Sequence, residues 1–368
     1  MAHDIERLTR FIAAMPKAEL HCHLLGTVRR STFEDLARRA RTHGTAPTSD
    51  APPTSAEVDA FYTRGEKPVG VLRVLRALDR WLLTEPDDFH RLTYEYLEDA
   101  AAHQVRHAEF FWNPTGTARV SGLSYARVQG PIRRAIGDAQ RDFGISARLV
   151  PSIDREAGAD AAMEMLDWVL DHRCDDVPGI GVDYQEAAGP PELFAEVYAR
   201  ARRAGLKTTA HAGEFGLPAR NVRVAIEDLR VDRIDHGYTI VDDEALVRQA
   251  IDRGLVFTVV PTNSYYLRTL PRERWAQDHP IRRMRALGLK LHPNTDDPTL
   301  HHVTPTLAWT MMARDFGDSI DDLRASLHAG LDAAWIDDDT RRAWRAEWSA
   351  SFDALRVEHF GEGLARTP

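Results

Sequence analysis

The sequence predicts an α/β chain folded as a (β/α)8 TIM barrel, with a helical insertion after strand 1 and extra C-terminal helices. Three observations predict it. Short β-like runs recur eight times, longer segments between them carry apolar residues three and four apart, and residues able to do chemistry fall where the runs end. Strand–helix alternation of this kind requires parallel pairing through helical crossovers. A chain of 368 residues suits one such barrel, read as a single domain over 1–368, and it buries enough surface to need no covalent staples.

The predicted strands are, in order, Leu20–Leu24, Val105–Trp112, Ser146–Ile153, Ile180–Tyr184, Lys207–Ala210, Arg233–Asp235, Val256–Val260 and Leu289–His292. Arg233–Asp235 is short and polar and is placed by the cadence, not by its own alternation. Pro191–Ala204 and Asn221–Leu229 show the amphipathic spacing of crossover helices. Residues 41–58 are small, polar and Pro-rich, which reads as a surface loop. Residues 59–103 look helical, so 41–103 forms an insertion on the face where barrel active sites lie. Phe61 and Tyr62 sit on it, either as an apolar lid over a ligand or as plain packing. Ile320–Phe360 is helix-rich, and its Trp335, Trp344 and Trp348 suit helical packing.

Composition excludes several classes. Against 47 basic residues stand 56 acidic ones, a formal net charge of −9 that disfavours a broad nucleic-acid face. Cys22 and Cys174 are too few for a disulfide framework, and a reducing compartment is the default. No run of about 18 apolar residues predicts a membrane helix. Met1–Arg7 carries acids with no apolar core behind it, unlike a secretory signal. The expectation is a cytoplasmic protein with no membrane or nucleic-acid partner, with homo-oligomer formation left open. Gly179-Ile180-Gly181 lacks the third glycine of a dinucleotide fingerprint, and neither a phosphate-binding Gly-Lys-Ser/Thr loop nor a Gly-x-Ser-x-Gly elbow occurs.

Four motifs lie at the C-terminal ends of predicted strands. In His21-Cys22-His23 the two imidazoles share one strand face and can approach one ion, while Cys22 faces away as a small packed residue. Thr209-Ala210-His211-Ala212-Gly213-Glu214 offers a third histidine and, past a glycine, a carboxylate. Asp235-His236-Gly237 and Asn294-Thr295-Asp296-Asp297-Pro298 complete the set. Three histidines with one carboxylate make a first-row metal shell that a water completes. A second histidine and carboxylate are then left for proton transfer and substrate binding. Singly, His236 reads equally as a loop histidine and Asp297-Pro298 as an ordinary turn. Their joint placement at strands one, five, six and eight argues for one site.

Together with Met15-Pro16-Lys17-Ala18-Glu19-Leu20-His21-Cys22-His23-Leu24, these motifs resemble the adenosine deaminase family, in order and spacing from about residue 8 to residue 350. That family is a metal-dependent barrel of the amidohydrolase type. The resemblance implies that His21, His23, His211 and Asp296 hold one Zn2+ per chain, lowering the pKa of a bound water towards ~7. It further implies that His236 takes the water proton, that Glu214 protonates the ring nitrogen beside the attacked carbon, and that Asp297 hydrogen-bonds another ring nitrogen. Gly213 joins the substrate-binding residues. The implied activity is hydrolytic deamination of an amino-substituted purine or purine-like heterocycle, releasing ammonia from a small-molecule substrate.

Departures from the family concern the substrate. Leu25 stands where relatives that use adenosine often carry an acid that meets the ribose, and an apolar side chain offers no such bond. Asp183-Tyr184-Gln185-Glu186 replaces a Leu-Ala-Gly turn whose backbone lies against the purine, so Tyr184 and Glu186 are expected to alter that side of the pocket, or else to point away. Strand seven runs into Pro261-Thr262-Asn263-Ser264 where the family more often has Pro-Thr-Ser-Asn. In the aromatic run Phe110-Phe111-Trp112, Trp112 is the candidate to stack on a flat heterocycle. The ligand expected is therefore a purine differing from plain adenosine. Two rivals stand beside it: a two-metal amidohydrolase acting on an amide, lactone or phosphoester, with Glu186 as bridging ligand, and a catalytically silent binding barrel. His301 and His302 follow the Asp-Asp-Pro turn and are expected in a solvated loop, with the pocket rim as the alternative.

Overall fold

A computed structural model of the chain describes residues 2–43, 75–76 and 78–361. Strands β1 (Lys17–His23), β2 (Val105–Trp112), β3 (Ser146–Asp154), β4 (Gly179–Asp183), β5 (Lys207–Ala212), β6 (Arg233–His236), β7 (Val256–Val259) and β8 (Lys290–Pro293) form one sheet in that order. Every neighbouring pair is parallel. The barrel closes just beyond β8. His23 N–H donates to the Asp296 carbonyl at 2.8 Å and Asp296 N–H to the His21 carbonyl at 3.0 Å, so the chain after β8 pairs with β1.

Strands of a parallel barrel are buried on both faces and read as nearly continuous apolar runs. The polar exceptions are paired inside. Glu109 of β2 and Arg233 of β6 are fully buried and form an ion pair, with His107 at 3.1 Å from the same carboxylate. The Arg233 guanidinium lies 4.2 Å over the Trp335 ring, which covers the end of the barrel away from the strand C-termini. Lys17 is also fully buried, its ammonium donating to the Met15 and His103 carbonyls at 2.8 and 2.9 Å. A lysine inside a strand hid the start of β1, which begins three residues before the predicted Leu20. β4 ends at Asp183, one residue early, because Tyr184 turns into left-handed backbone at φ +68°.

Within the insertion, the described residues contain a helical turn at Leu78–Leu82 and a helix at Pro86–Ala102. Glu85 and Asp88 cap that helix reciprocally, each accepting the other's backbone N–H. Phe61 and Tyr62 lie outside the described residues. The C-terminal helices span Ile320–Ala333 and Asp338–Phe360, and Trp344 and Trp348 stack in the second at 5.4 Å. Among the described residues, no helix is long and apolar enough to cross a membrane.

Candidate active site

Residues i and i+2 of β1 share a face, and that face is the barrel axis. His21 Nε2 and His23 Nε2 lie 3.0 and 3.1 Å from His211 Nε2, which β5 brings to the same height. Asp296 Oδ1 stands 3.5 Å from His21 Nε2 and 3.1 Å from His23 Nε2. The barrel-closing pairing with β1 puts it there, and its backbone adopts φ +65° to turn the carboxylate inward. A tetrahedral shell with bonds of about 2.1 Å has donor–donor edges of roughly 3.4 Å, so these separations fit one small divalent cation. Unprotonated nitrogens this close repel one another unless a positive charge lies between them. His236 belongs to the same cluster: donor atoms of His21, His211, His236 and Asp296 all fall within 4.8 Å of one another.

Contacts behind the ring set the tautomers. His21 Nδ1 faces the Thr258 carbonyl at 3.1 Å, His211 Nδ1 the Asp235 carboxylate at 3.2 Å and His23 Nδ1 the Asp183 carboxylate at 3.4 Å. A proton on each Nδ1 leaves the Nε2 lone pair pointing inward, as a cation site requires. Asp235 is held by the Thr209 and Thr258 hydroxyls at 2.9 and 2.7 Å. Burial alone would raise its carboxyl, but the facing imidazoles outweigh that and hold it well below the usual range. Asp183 accepts from the Asn113 amide at 2.7 Å. Of these, Asp183, Asp235 and Thr209 fall in quoted motifs; Thr258 and Asn113 carry no signal of this role in the sequence.

The proton-transfer pair sits beside the donors. His236 Nε2 and Glu214 Oε2 are 3.5 Å apart. Tyr238 donates its hydroxyl proton to the Val260 carbonyl, so toward His236 Nδ1, 3.4 Å away, its oxygen can only accept. That leaves His236 Nε2 as a free lone pair facing Glu214. Burial, with the adjacent His21 and His211, holds the imidazole well below its ordinary pKa and hence neutral. Glu214 receives the Asn263 amide at 3.3 Å. Burial, then the neighbouring Asp296 and Glu186 charges, push its carboxyl well above the usual range.

A cavity of about 580 Å³ opens over these groups, walled by His23, Asp183, Tyr184, Glu214, Tyr265, Asp297 and His301 among others. Asp297 lines the cavity, and its Oδ1 is buried with no hydrogen-bond partner among the described residues. Gly26 makes room for it, since a Cβ there would lie 1.9 Å from that oxygen. His301, expected in a solvated loop, is buried on the cavity wall. The Arg76 guanidinium lies 4.0 Å over the Tyr184 ring and is itself held by Asp154 at 2.6 Å, which fixes the ring as part of the wall.

Four residues expected to meet substrate do not line the cavity. Trp112 points out of the barrel, stacks on Tyr125 at 5.6 Å and donates its indole N–H to Thr117 at 3.0 Å. Strand alternation decides this: its neighbour Phe111 takes the inner face, 5.1 and 5.3 Å from the His23 and His211 rings. Leu25 is buried in the turn Leu24–Thr27. Gly213 gives its N–H to Glu186 at 2.8 Å, and at φ +69° a Cβ there would meet Thr239 and Val222 at 2.6 and 2.7 Å. Glu186 is fully buried and spends both carboxylate oxygens on that turn, so none remains to bridge two metals.

A sequence profile of the adenosine deaminase family matches residues 16–349. The chain belongs to the adenosine deaminase family. Within it, the chain is 35% identical over 293 residues to an adenine deaminase of Chlorobium luteolum, covering 78% of this chain and 80% of that one. It is 33% identical over 339 residues to an adenine deaminase of Vibrio parahaemolyticus, covering 92% and 96%. Among solved structures, an amidohydrolase from Burkholderia ambifaria with bound Zn matches at 60% identity and a TM-score of 0.92, over 96% of this chain and 94% of that one. The adenine deaminase of Arthrobacter aurescens matches at 30% identity and a TM-score of 0.80, over 92% and 99%.

Proposed function

We propose that this member of the adenosine deaminase family is a zinc-dependent aminohydrolase acting on a free aminopurine base of the adenine type. One observation carries the reading: each inward-facing donor of His21, His23, His211 and Asp296 lies 3.0–3.5 Å from two of the others, beside a neutral imidazole and a largely buried carboxyl. These four residues would hold Zn2+, which when bound lowers the pKa of a water towards about 7. His236 Nε2, its other nitrogen tied to Tyr238, accepts the proton of the attacking water. Glu214, kept protonated by its surroundings, delivers a proton to the ring nitrogen next to the attacked carbon. Asp297, on the cavity wall, engages another ring nitrogen and fixes the base in its plane. The proton held by His236 then passes to the exocyclic amine, and the C–N bond breaks with its electron pair leaving on ammonia. The remaining hydroxyl proton returns Glu214 to its acid form, so that the amine has been exchanged for oxygen.

The adenine deaminases among its relatives favour the free base over the nucleoside. The Tyr184 ring, clamped by Arg76, favours it too, because it occupies cavity wall that a smaller turn would leave open. Cys22 and Cys174 remain free thiols, in keeping with a reducing, cytoplasmic setting. Ammonia release measured across adenine, N6-alkylated adenines, adenosine, guanine-type bases and pterins tests the reading. Adenine-type bases are expected to lead. Adenosine turned over faster than every free base would refute the substrate assignment, and no release from any of them would refute the reaction.

A further inference from the structure

We infer that Glu186, at the end of the turn after β4, is a positioning residue that aims the Glu214 carboxyl at the substrate. The inference rests on Glu214 being the acid proposed above. Glu186 Oε1 accepts the Gly213 N–H at 2.8 Å and the Asn221 amide at 3.1 Å, while Oε2 accepts the Glu214 and Phe215 N–H groups at 2.9 and 3.3 Å. Three consecutive backbone donors therefore converge on one carboxylate, and the middle one belongs to the residue that must present the acid. The Glu186 carboxylate itself is fully buried, where a charged acceptor forms its strongest bonds.

The arrangement also ties the acid to the cation donors. Arg155, buried at the end of β3, donates to the His211 carbonyl at 2.8 Å and stands 4.0 Å from Glu186 Oε1. Its other guanidinium nitrogens have no hydrogen-bond partner among the described residues, and Glu186 is the anionic side chain its charge feels most, ahead of Asp183 and Glu214. From His211 through Gly213 to Glu214, the backbone is thus gripped at both ends by one buried ion pair. Gly213 supplies the left-handed bend that lets three N–H groups point the same way. A glutamine at 186 would keep one acceptor oxygen but turn an NH2 group against donors, and the turn would relax. Displacing a reacting group by about 1 Å costs on the order of 100-fold in rate.

The test compares Glu186→Gln, Glu214→Gln and the double variant, all loaded with zinc, with adenine as substrate. Glu186→Gln is expected to lower kcat about 100-fold with KM within about threefold of wild type and zinc still at one per chain. Amide exchange at 213–215 is expected to accelerate while the rest of the barrel keeps its protection. If Glu186 acts through Glu214, the double variant is no slower than Glu214→Gln alone. Losses that multiply, unchanged exchange at the turn, or a near-normal kcat each overturn the inference. Faster exchange together with a fully active Glu214→Gln places the fault in the acid assignment instead, and removes the aiming role while the hold on the turn stands. Should Glu186→Gln fail to fold, Asn221→Ala removes one of the four donors and reads the same quantities at smaller amplitude.

Discussion

Glu214 and its neighbours give the sharpest residue-scale expectations, because each substitution changes one atom's chemistry and little shape. Glu214→Gln keeps the length of the side chain, and its amide oxygen still accepts from Asn263. What it loses is the transferable proton, a loss of about 10²–10⁴-fold in kcat for a general acid. Because Glu214 is not among the four cation donors, zinc measured by atomic absorption should stay at the wild-type level; metal lost in step with activity would show that the carboxyl is a ligand. Asp235→Asn works on the cation side. Asp235 receives two threonine hydroxyls and faces His211 Nδ1, so an amide there sets an N–H against a donor and frees the imidazole to change tautomer. Titration against a competing chelator should show metal affinity weakened about 10- to 100-fold. Equal affinity in the variant would mean that His211 is oriented by its strand alone.

At the scale of elements, the helix Pro280–Ala286 begins on a titratable cap. His279 Nδ1 accepts the Ile281 N–H at 3.2 Å, so that nitrogen must stay unprotonated for the cap to exist. The ring is buried among Tyr238, Tyr266, Trp275 and Phe316, and burial lowers its pKa to about 3. Between about 6.5 and that value the unfolded chain binds a proton that the folded one refuses, so stability is full above the window and declines as pH falls through it. The slope contributed is at most about 1.4 kcal/mol per pH unit. His279→Asn retains a capping oxygen without titrating. It should be less stable at pH 7, having lost ring contacts, yet lose less on acidification to pH 4.5 in urea unfolding; parallel pH profiles would show that His279 is not the acid-sensitive cap. Sequence cadence located all eight strands, since burial on both faces leaves apolar runs that periodicity can find. It missed the start of β1 at the buried Lys17, and it could not tell Trp112 from Phe111, because alternation needs a fixed register and a run of three aromatics supplies none. It also could not see that Glu186 turns away from the cavity, which depends on the left-handed step at Tyr184.

The molecule as a whole is a device for holding five polar groups where water would otherwise dissolve them. Positions 21, 23, 211, 236 and 296 come from four separate points of the chain, and only the closed ring of strands brings donors of 21, 23, 211 and 296 to neighbour distances of 3.0–3.5 Å, with a donor of 236 within 4.8 Å of those of 21, 211 and 296. The motifs were legible because a cation shell demands particular side chains; the closure that delivers Asp296 was not, because a backbone pairing with β1 leaves no mark on residue type. The unfolded chain has no such shell, so any cation bound by the barrel adds to folding stability by mass action. With free zinc at about 1,000 times its dissociation constant the gain is about 4 kcal/mol. An unfolding entropy of about 2.1 cal/mol/K per residue over 368 residues converts that to roughly 5 °C in Tm. Chelation should therefore lower the thermal transition by about that amount and added Zn2+ should restore it, read by circular dichroism. In His21→Ala/His23→Ala the response should vanish, because two of four donors are gone and the remaining pair cannot complete a tetrahedral shell. A shift that persists in the double variant would put the stabilising ion elsewhere in the barrel, and no shift in wild type would mean that the cluster binds no cation tightly enough to matter.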